Sequence, residues 1–193
     1  MRPIQTFFAA MAAAVGLILS SPLFLAQAAT LGGSSYAVQY DYREFYAATD
    51  HKKFRVELVG NPFPNLPMDE VARRLLPVMQ ANKPPPNLTF TYEIPPEPQR
   101  PDYRLMLVFD PANDLGSSAV CTGDKRLKPG VPGRIYVYAV YCRNDQVLSE
   151  VTGRTVAAAP DDAAMGDLMK DVFNVVFDRS PYNMLHRNHM PVH

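Results

Sequence analysis

Charge of one sign is missing from this sequence: 19 Lys and Arg face 19 Asp and Glu, for a formal net charge of zero. Nucleic-acid binding draws most of its affinity from Lys and Arg on phosphates, so the balance leaves no footprint for such a partner. Cysteine is scarce, with 2 in 193 residues, which excludes a disulfide-dense miniprotein. The motifs that announce chemistry are lacking too. No Gly-x-Ser-x-Gly turn exposes a nucleophilic serine; the nearest stretch, Gly116, Ser117, Ser118, has no second glycine. There is no His-Glu-x-x-His for zinc, and no glycine-rich turn between strand and helix for a nucleotide's phosphates. No internal repeat is visible. At 47% hydrophobic and 20% charged residues, what remains reads as one ordinary globular domain, with no cofactor implied.

The first segment is of another kind. Arg2 precedes an apolar run from Phe7 to Leu25, which leads into Ala26, Gln27, Ala28, Ala29. A basic start, an apolar core and a small-residue exit are the parts of a secretory signal peptide, with cleavage expected after Ala28 or Ala29. Pro22 and two serines interrupt the run, which argues against an uncleaved span, so the membrane is expected to matter only through this segment before cleavage. Removing residues 1–28 takes away Arg2 and tips the mature chain to about one net negative charge. Export places Cys121 and Cys142 in an oxidising compartment, periplasmic or extracellular, and we expect one intramolecular disulfide between them. A redox-active pair is the alternative, but the spacing is not Cys-x-x-Cys and no His is adjacent.

Along the mature chain, residues 29–52 form a tyrosine-rich arm or edge strand, with Tyr36, Val38, Tyr40 and Tyr42 alternating with smaller or polar side chains. A globular domain is expected over 53–180 and a tail over 181–193. Phe54, Val56 and Leu58 alternate with Lys53, Arg55 and Glu57, an amphipathic strand that stops at Gly60, Asn61, Pro62, Phe63, Pro64. Asn65 and Pro67 then open a helix carrying Met68, Val71, Leu75 and either Val78 or Met79 at helical spacing, which Pro77 should end or kink. Leu88, Phe90, Tyr92 and Ile94 alternate as a second strand, and the prolines between 95 and 101 read as a stiff linker. Tyr103–Phe109 and Ile135–Cys142 are apolar at nearly every position, as strands covered on both faces are. A long loop, 110–133, separates them, and Arg143, Asn144, Asp145 turn the chain into a hairpin. Met165, Leu168, Met169, Val172, Phe173, Val176 and Phe177 give the last helix its buried stripe. The sum is an α+β domain: a mainly antiparallel sheet of about five strands with two helices on one face.

Candidate sites are few. Asp110, Asp114 and Asp124 on the long loop are the acids that a small hydrolase would use, although Asp in such loops is ordinarily turn chemistry. Lys125, Arg126 and Lys128 follow them and read as a solvated loop. His186, His189 and His193, at spacings of three and four, would suit zinc or copper on a helix, but Pro191 interrupts it. Asn87, Leu88, Thr89 is a glycosylation sequon, meaningful only in a eukaryotic secretory pathway.

Thr49, Asp50, then Phe54 to Gly60, Asn61, Pro62, Phe63, with Phe109, Asp110, Pro111, the two cysteines and Thr152, Gly153, give the chain a resemblance to small exported proteins of Gram-negative bacteria that have no assigned function. The resemblance implies an envelope or secreted location and a paired cysteine, and it carries over no catalytic residue. The expectation is a non-catalytic binding or accessory protein whose partner is another envelope protein or a small ligand. Its contact surface is expected at Asn61, Pro62, Phe63, Asp110 and Asp114, with Phe63 packing inward. The alternatives are the small hydrolase and the His-tail metal protein.

Overall fold

A computed structural model describes residues 28–94 and 101–181. The expected signal segment, 1–28, lies outside the described residues but for Ala28, and so do His186, His189 and His193. The elements follow as β1 (Thr30–Tyr36), α1 (Tyr42–Thr49), β2 (Lys53–Val59), α2 (Met68–Ala81), β3 (Thr89–Thr91), β4 (Tyr103–Phe109), α3 (Ser117–Cys121), β5 (Arg134–Arg143), β6 (Gln146–Val156) and α4 (Ala163–Val176). The strands form one six-stranded sheet in the order β1-β6-β5-β4-β2-β3. The architecture is α+β, but the sheet is mixed. β1, β6, β5 and β4 pair antiparallel, whereas β2 runs parallel to both β4 and β3. This corrects the expected mainly antiparallel sheet of about five strands with two helices on one face: the described residues form six strands and four helices, with α3 on the opposite face, and α2 is the physical reason that β3 runs parallel to β2. A 14-residue crossover helix returns the chain to the end where β2 began, so the next strand must run the same way.

β4 and β5, the two apolar runs, lie in the sheet interior, as their composition requires. One sheet face carries the large core. Leu105, Leu107, Phe109, Val137, Ala139 and Tyr141 pack there against Leu75 and Met79 of α2 and Leu168, Met169, Val172 and Phe173 of α4. Phe45 of α1 stacks on Phe177, with ring centroids 4.2 Å apart and an interplanar angle of 10°. The opposite face carries a smaller cluster, in which α3 and the loop around it cover Met106, Val108, Tyr138 and Val140. Cys121 at the end of α3 is bonded to Cys142 of β5, the disulfide the sequence led us to expect.

Four local expectations are corrected. The tyrosine alternation does not continue as a strand past Tyr36: Asp41 caps α1, its carboxylate accepting from the Arg43 N–H at 2.8 Å, and Tyr42 begins the helix. The rings point inward for packing. Tyr36 donates to the Val175 carbonyl at 2.6 Å and Tyr40 to that of Asp178 at 2.7 Å, which ties this segment to the end of α4. Pro77 does not end α2. It is exposed, so its missing N–H falls on the water side, while Val71, Leu75 and Met79 on either side of it are fully buried. Nor does Asn65 cap α2; Pro67 takes the cap position without a side-chain bond. β3 is also shorter than its alternation, three residues, and Ile94 beyond it is 66% exposed.

Candidate functional site

The sheet's disulfide side is covered over only part of its area. Along β5 the side chains alternate: Ile135, Val137, Ala139 and Tyr141 face the helices, while Tyr138, Val140 and Cys142 face α3. Tyr136 belongs to the second set but lies beyond the α3 cover. There the sheet face forms the floor of a trough.

The wall of the trough is the 110–133 loop, folded back on itself. Pro111 pairs with Leu127 in an isolated bridge, the Ala112 N–H donates to the Arg126 carbonyl at 3.1 Å, and the Lys128 N–H donates to that of Asp110 at 2.9 Å. Arg126 fastens the outer part of the loop through Asp114 at 2.6 Å and Asp124 at 2.8 Å. Both carboxyls are held below the usual range, chiefly by their hydrogen bonds from Arg126. A general acid needs the opposite shift. Asp114 and Asp124 therefore serve as loop fasteners, and they direct their charge at Arg126 rather than at a second acid.

Asp110 is different. It ends β4 in left-handed backbone, φ 50°, where its own N–H donates to the Tyr136 carbonyl at 2.9 Å. Its carboxylate lies so close to Gly130 that a Cβ there would come within 2.2 Å of Oδ2, so a larger residue at 130 would push the Asp110 carboxylate aside. Burial raises the Asp110 carboxyl above its ordinary range, with Lys128 pulling the other way.

A cavity of about 720 Å³ opens beside this residue, lined by Asp110, Lys128, Val131, Arg134, Tyr136 and Arg154. A second cavity of about 410 Å³ adjoins it, sharing Lys128, Tyr136 and Arg154 and continuing along Asn113, Glu150 and Thr152. Volumes of this size are typical of small-ligand sites. Tyr136 stands at the junction, with the Lys128 ammonium 5.1 Å and the Arg154 guanidinium 4.7 Å from its ring centroid. Glu150 is engaged locally: it accepts from Ser35 Oγ at 2.9 Å and from the Tyr138 hydroxyl at 2.5 Å. That carboxylate, after desolvation, is the second reason the Tyr138 phenol is pushed up.

The other sequence candidates lie elsewhere. Asn61, Pro62 and Phe63 form the turn after β2. The Asn61 amide donates to the Leu66 carbonyl at 2.8 Å, and its oxygen accepts from the Phe63 N–H at 2.8 Å. Phe63 is 5% exposed and belongs to the helix-side core, so this turn positions the chain and only Asn61 of the three meets solvent. At the opposite end of the sheet, Glu44 ties α1 to β5 through Arg143 at 2.9 Å and accepts the Tyr103 hydroxyl, whose pKa is pushed up to about 12 by burial and then by that carboxylate. Among the described residues no group of three or more His, Cys, Asp or Glu side chains could hold a metal ion. No helix among them is long and apolar enough to cross a membrane.

Sequence reasoning missed Tyr136, Arg134 and Arg154. A run as apolar as Ile135–Cys142 hides which of its positions lies past the cover. Arg154 lies in the far end of β6, opposite Tyr136, and the hairpin turn alone does not announce that pairing. Compared with known protein families, with curated proteins and with solved structures, the chain matches none.

Proposed function

We propose that this protein is an exported, non-catalytic binding or accessory module of the cell envelope, and that it meets its partner with the trough between the 110–133 loop and the open end of β5 and β6. The observation that carries this reading is the asymmetry of the sheet. Its helix side is closed by a continuous apolar core, whereas its disulfide side leaves a concave, charged floor under a loop that the Cys121–Cys142 bond and the Arg126 pairs hold in place. Loops held on a rigid scaffold are where binding surfaces concentrate. The disulfide supports export, since such bonds persist in oxidising compartments.

The test is position-specific photo-crosslinking in native cells. A crosslinker at Asn113 or Thr152, inside the trough, is expected to capture a reproducible adduct, and one at Lys170 on the exposed side of α4 is not. Equal capture from both faces, or none from the trough, would refute the contact surface. Mass spectrometry of the same material is expected to find a chain beginning at residue 29 or 30; an intact chain carrying Met1 in the cytosol would refute export.

A further inference from the structure

Arg55, Arg73, Arg74, Arg104, Arg126 and Arg143 each contact a carboxylate. Among the described arginines Arg43, Arg134, Arg154 and Arg179 make no such contact, and of these Arg134 and Arg154 both line the 720 Å³ cavity. Arg154 rests on the Tyr136 ring rather than on an acid, and Lys128 reaches the same ring while donating to the neutral Asn113 side chain at 2.8 Å. The two acids nearby do not cancel them. Glu150 is engaged by Ser35 and Tyr138, and Asp110 is packed against Gly130 beside a single one of the three cations. Three positive charges thus converge on one concavity with one carboxylate free to oppose them. The rim is apolar as well: Val131 is 56% and Val156 46% exposed.

We infer that the trough binds an amphiphilic oxyanion, a carboxylate or phosphate head held by Arg134, Arg154 and Lys128 with a hydrocarbon body lying on Val131 and Val156. The inference rests on the reading of this face as the contact surface and adds the chemistry of what it contacts. Guanidinium groups suit either head, because their paired N–H donors match two oxygens at once. An aromatic ring that holds two cations beforehand reduces the ordering left to the ligand. The exposed valines give the body an apolar surface to cover.

The experiment titrates the purified protein with decanoate and with decyl phosphate below their micelle concentrations, followed by calorimetry and by amide chemical shifts. Shifts are expected at residue 110, over 128–136 and over 154–156, with affinity falling as salt rises. Acetate, inorganic phosphate and an uncharged decyl glycoside serve as partial probes and are expected to bind at least tenfold more weakly. R134Q/R154Q removes two charge-assisted contacts on exposed strand ends, and about a tenfold or greater loss of affinity should follow at an unchanged melting temperature. Lys170→Gln should leave affinity as it was. Equal binding of the uncharged glycoside, equal binding of inorganic phosphate, full affinity in R134Q/R154Q, or no trough shifts with either amphiphile would each overturn the inference. Crosslinks from Asn113 and Thr152 together with silent amphiphiles would discard the oxyanion and keep the binding face; silence in both would discard the two together.

Discussion

Asp110 shows how one residue is shaped by opposing forces. Its backbone is left-handed, its carboxyl is pressed against Gly130, and burial raises its proton affinity while Lys128 lowers it. An acid whose folded pKa lies above its unfolded value disfavours folding wherever the unfolded carboxyl would be ionised. Asp110→Asn is therefore expected to raise the melting temperature at neutral pH. That gain should fade as pH falls through the folded pKa and vanish below the ordinary Asp range of about 3.9, where both states are protonated. Unfolding curves at pH 7 and pH 3 measure it, and a loss at pH 7 would show that the attraction to Lys128 outweighs burial. Asparagine accepts left-handed backbone as aspartate does, whereas alanine does not, so Asp110→Ala should be about 1 to 2 kcal/mol less stable than the Asn variant. Asp110 was legible in the sequence as a loop acid, because the end of the apolar run announces it. Its distinction from Asp114 was not, since that depends on Arg126, twelve residues along, folding back onto Asp114 and Asp124.

At the scale of elements, legibility followed burial. α4 shows its full stripe because every apolar position meets the core, and β4 and β5 read as interior strands because both their faces are covered. α1 was hidden: its eight residues include two more tyrosines, and the strand-like alternation before it masked the Asp41 cap. What holds so short a helix is Phe45, fully buried, stacked on Phe177 and meeting Phe54 and Tyr141 edge-on at 5.8 and 5.6 Å. Eight residues are too few for a stable helix in water, so α1 depends on that anchor. Phe45→Ala should cost about 3 to 5 kcal/mol in denaturant unfolding, as large aromatic deletions in packed cores do. Tyr46→Ala, one position on and 46% exposed, should change stability by under about 1 kcal/mol. Equal losses in the two variants would show that α1 is held by its polar ties, Glu44 to Arg143 and to Tyr103, rather than by its aromatic face.

Across the whole molecule the sheet divides two jobs between its faces. The helix side buries aromatic rings from six elements and from the segments between them, whereas the disulfide side has a small cluster and a loop stapled to it. The large core alone suffices to keep β4, β5, β6 and α4 together; the staple's task is local, to hold α3 over Val140 and keep the trough's wall in place. The bond spans a separation of 21 residues, a loop whose closure restricts the unfolded chain by about 3 kcal/mol in the entropy model. Cys121→Ser with Cys142→Ser should therefore lower global stability by about that amount, and the loss should not be spread evenly. Amide exchange is expected to stay slow in β5 and α4, where opening requires global unfolding, and to quicken most over 110–133, where the remaining ties include the Pro111–Leu127 bridge, a few backbone hydrogen bonds, the Arg126 pairs, the packing of Leu115 and Val120, and contacts such as Arg104 to the Cys121 carbonyl at 2.6 Å. Uniform acceleration in every element would mean that the two faces form a single cooperative unit. In that case the trough could not loosen without the core, and the loop would be part of the scaffold rather than a surface mounted on it.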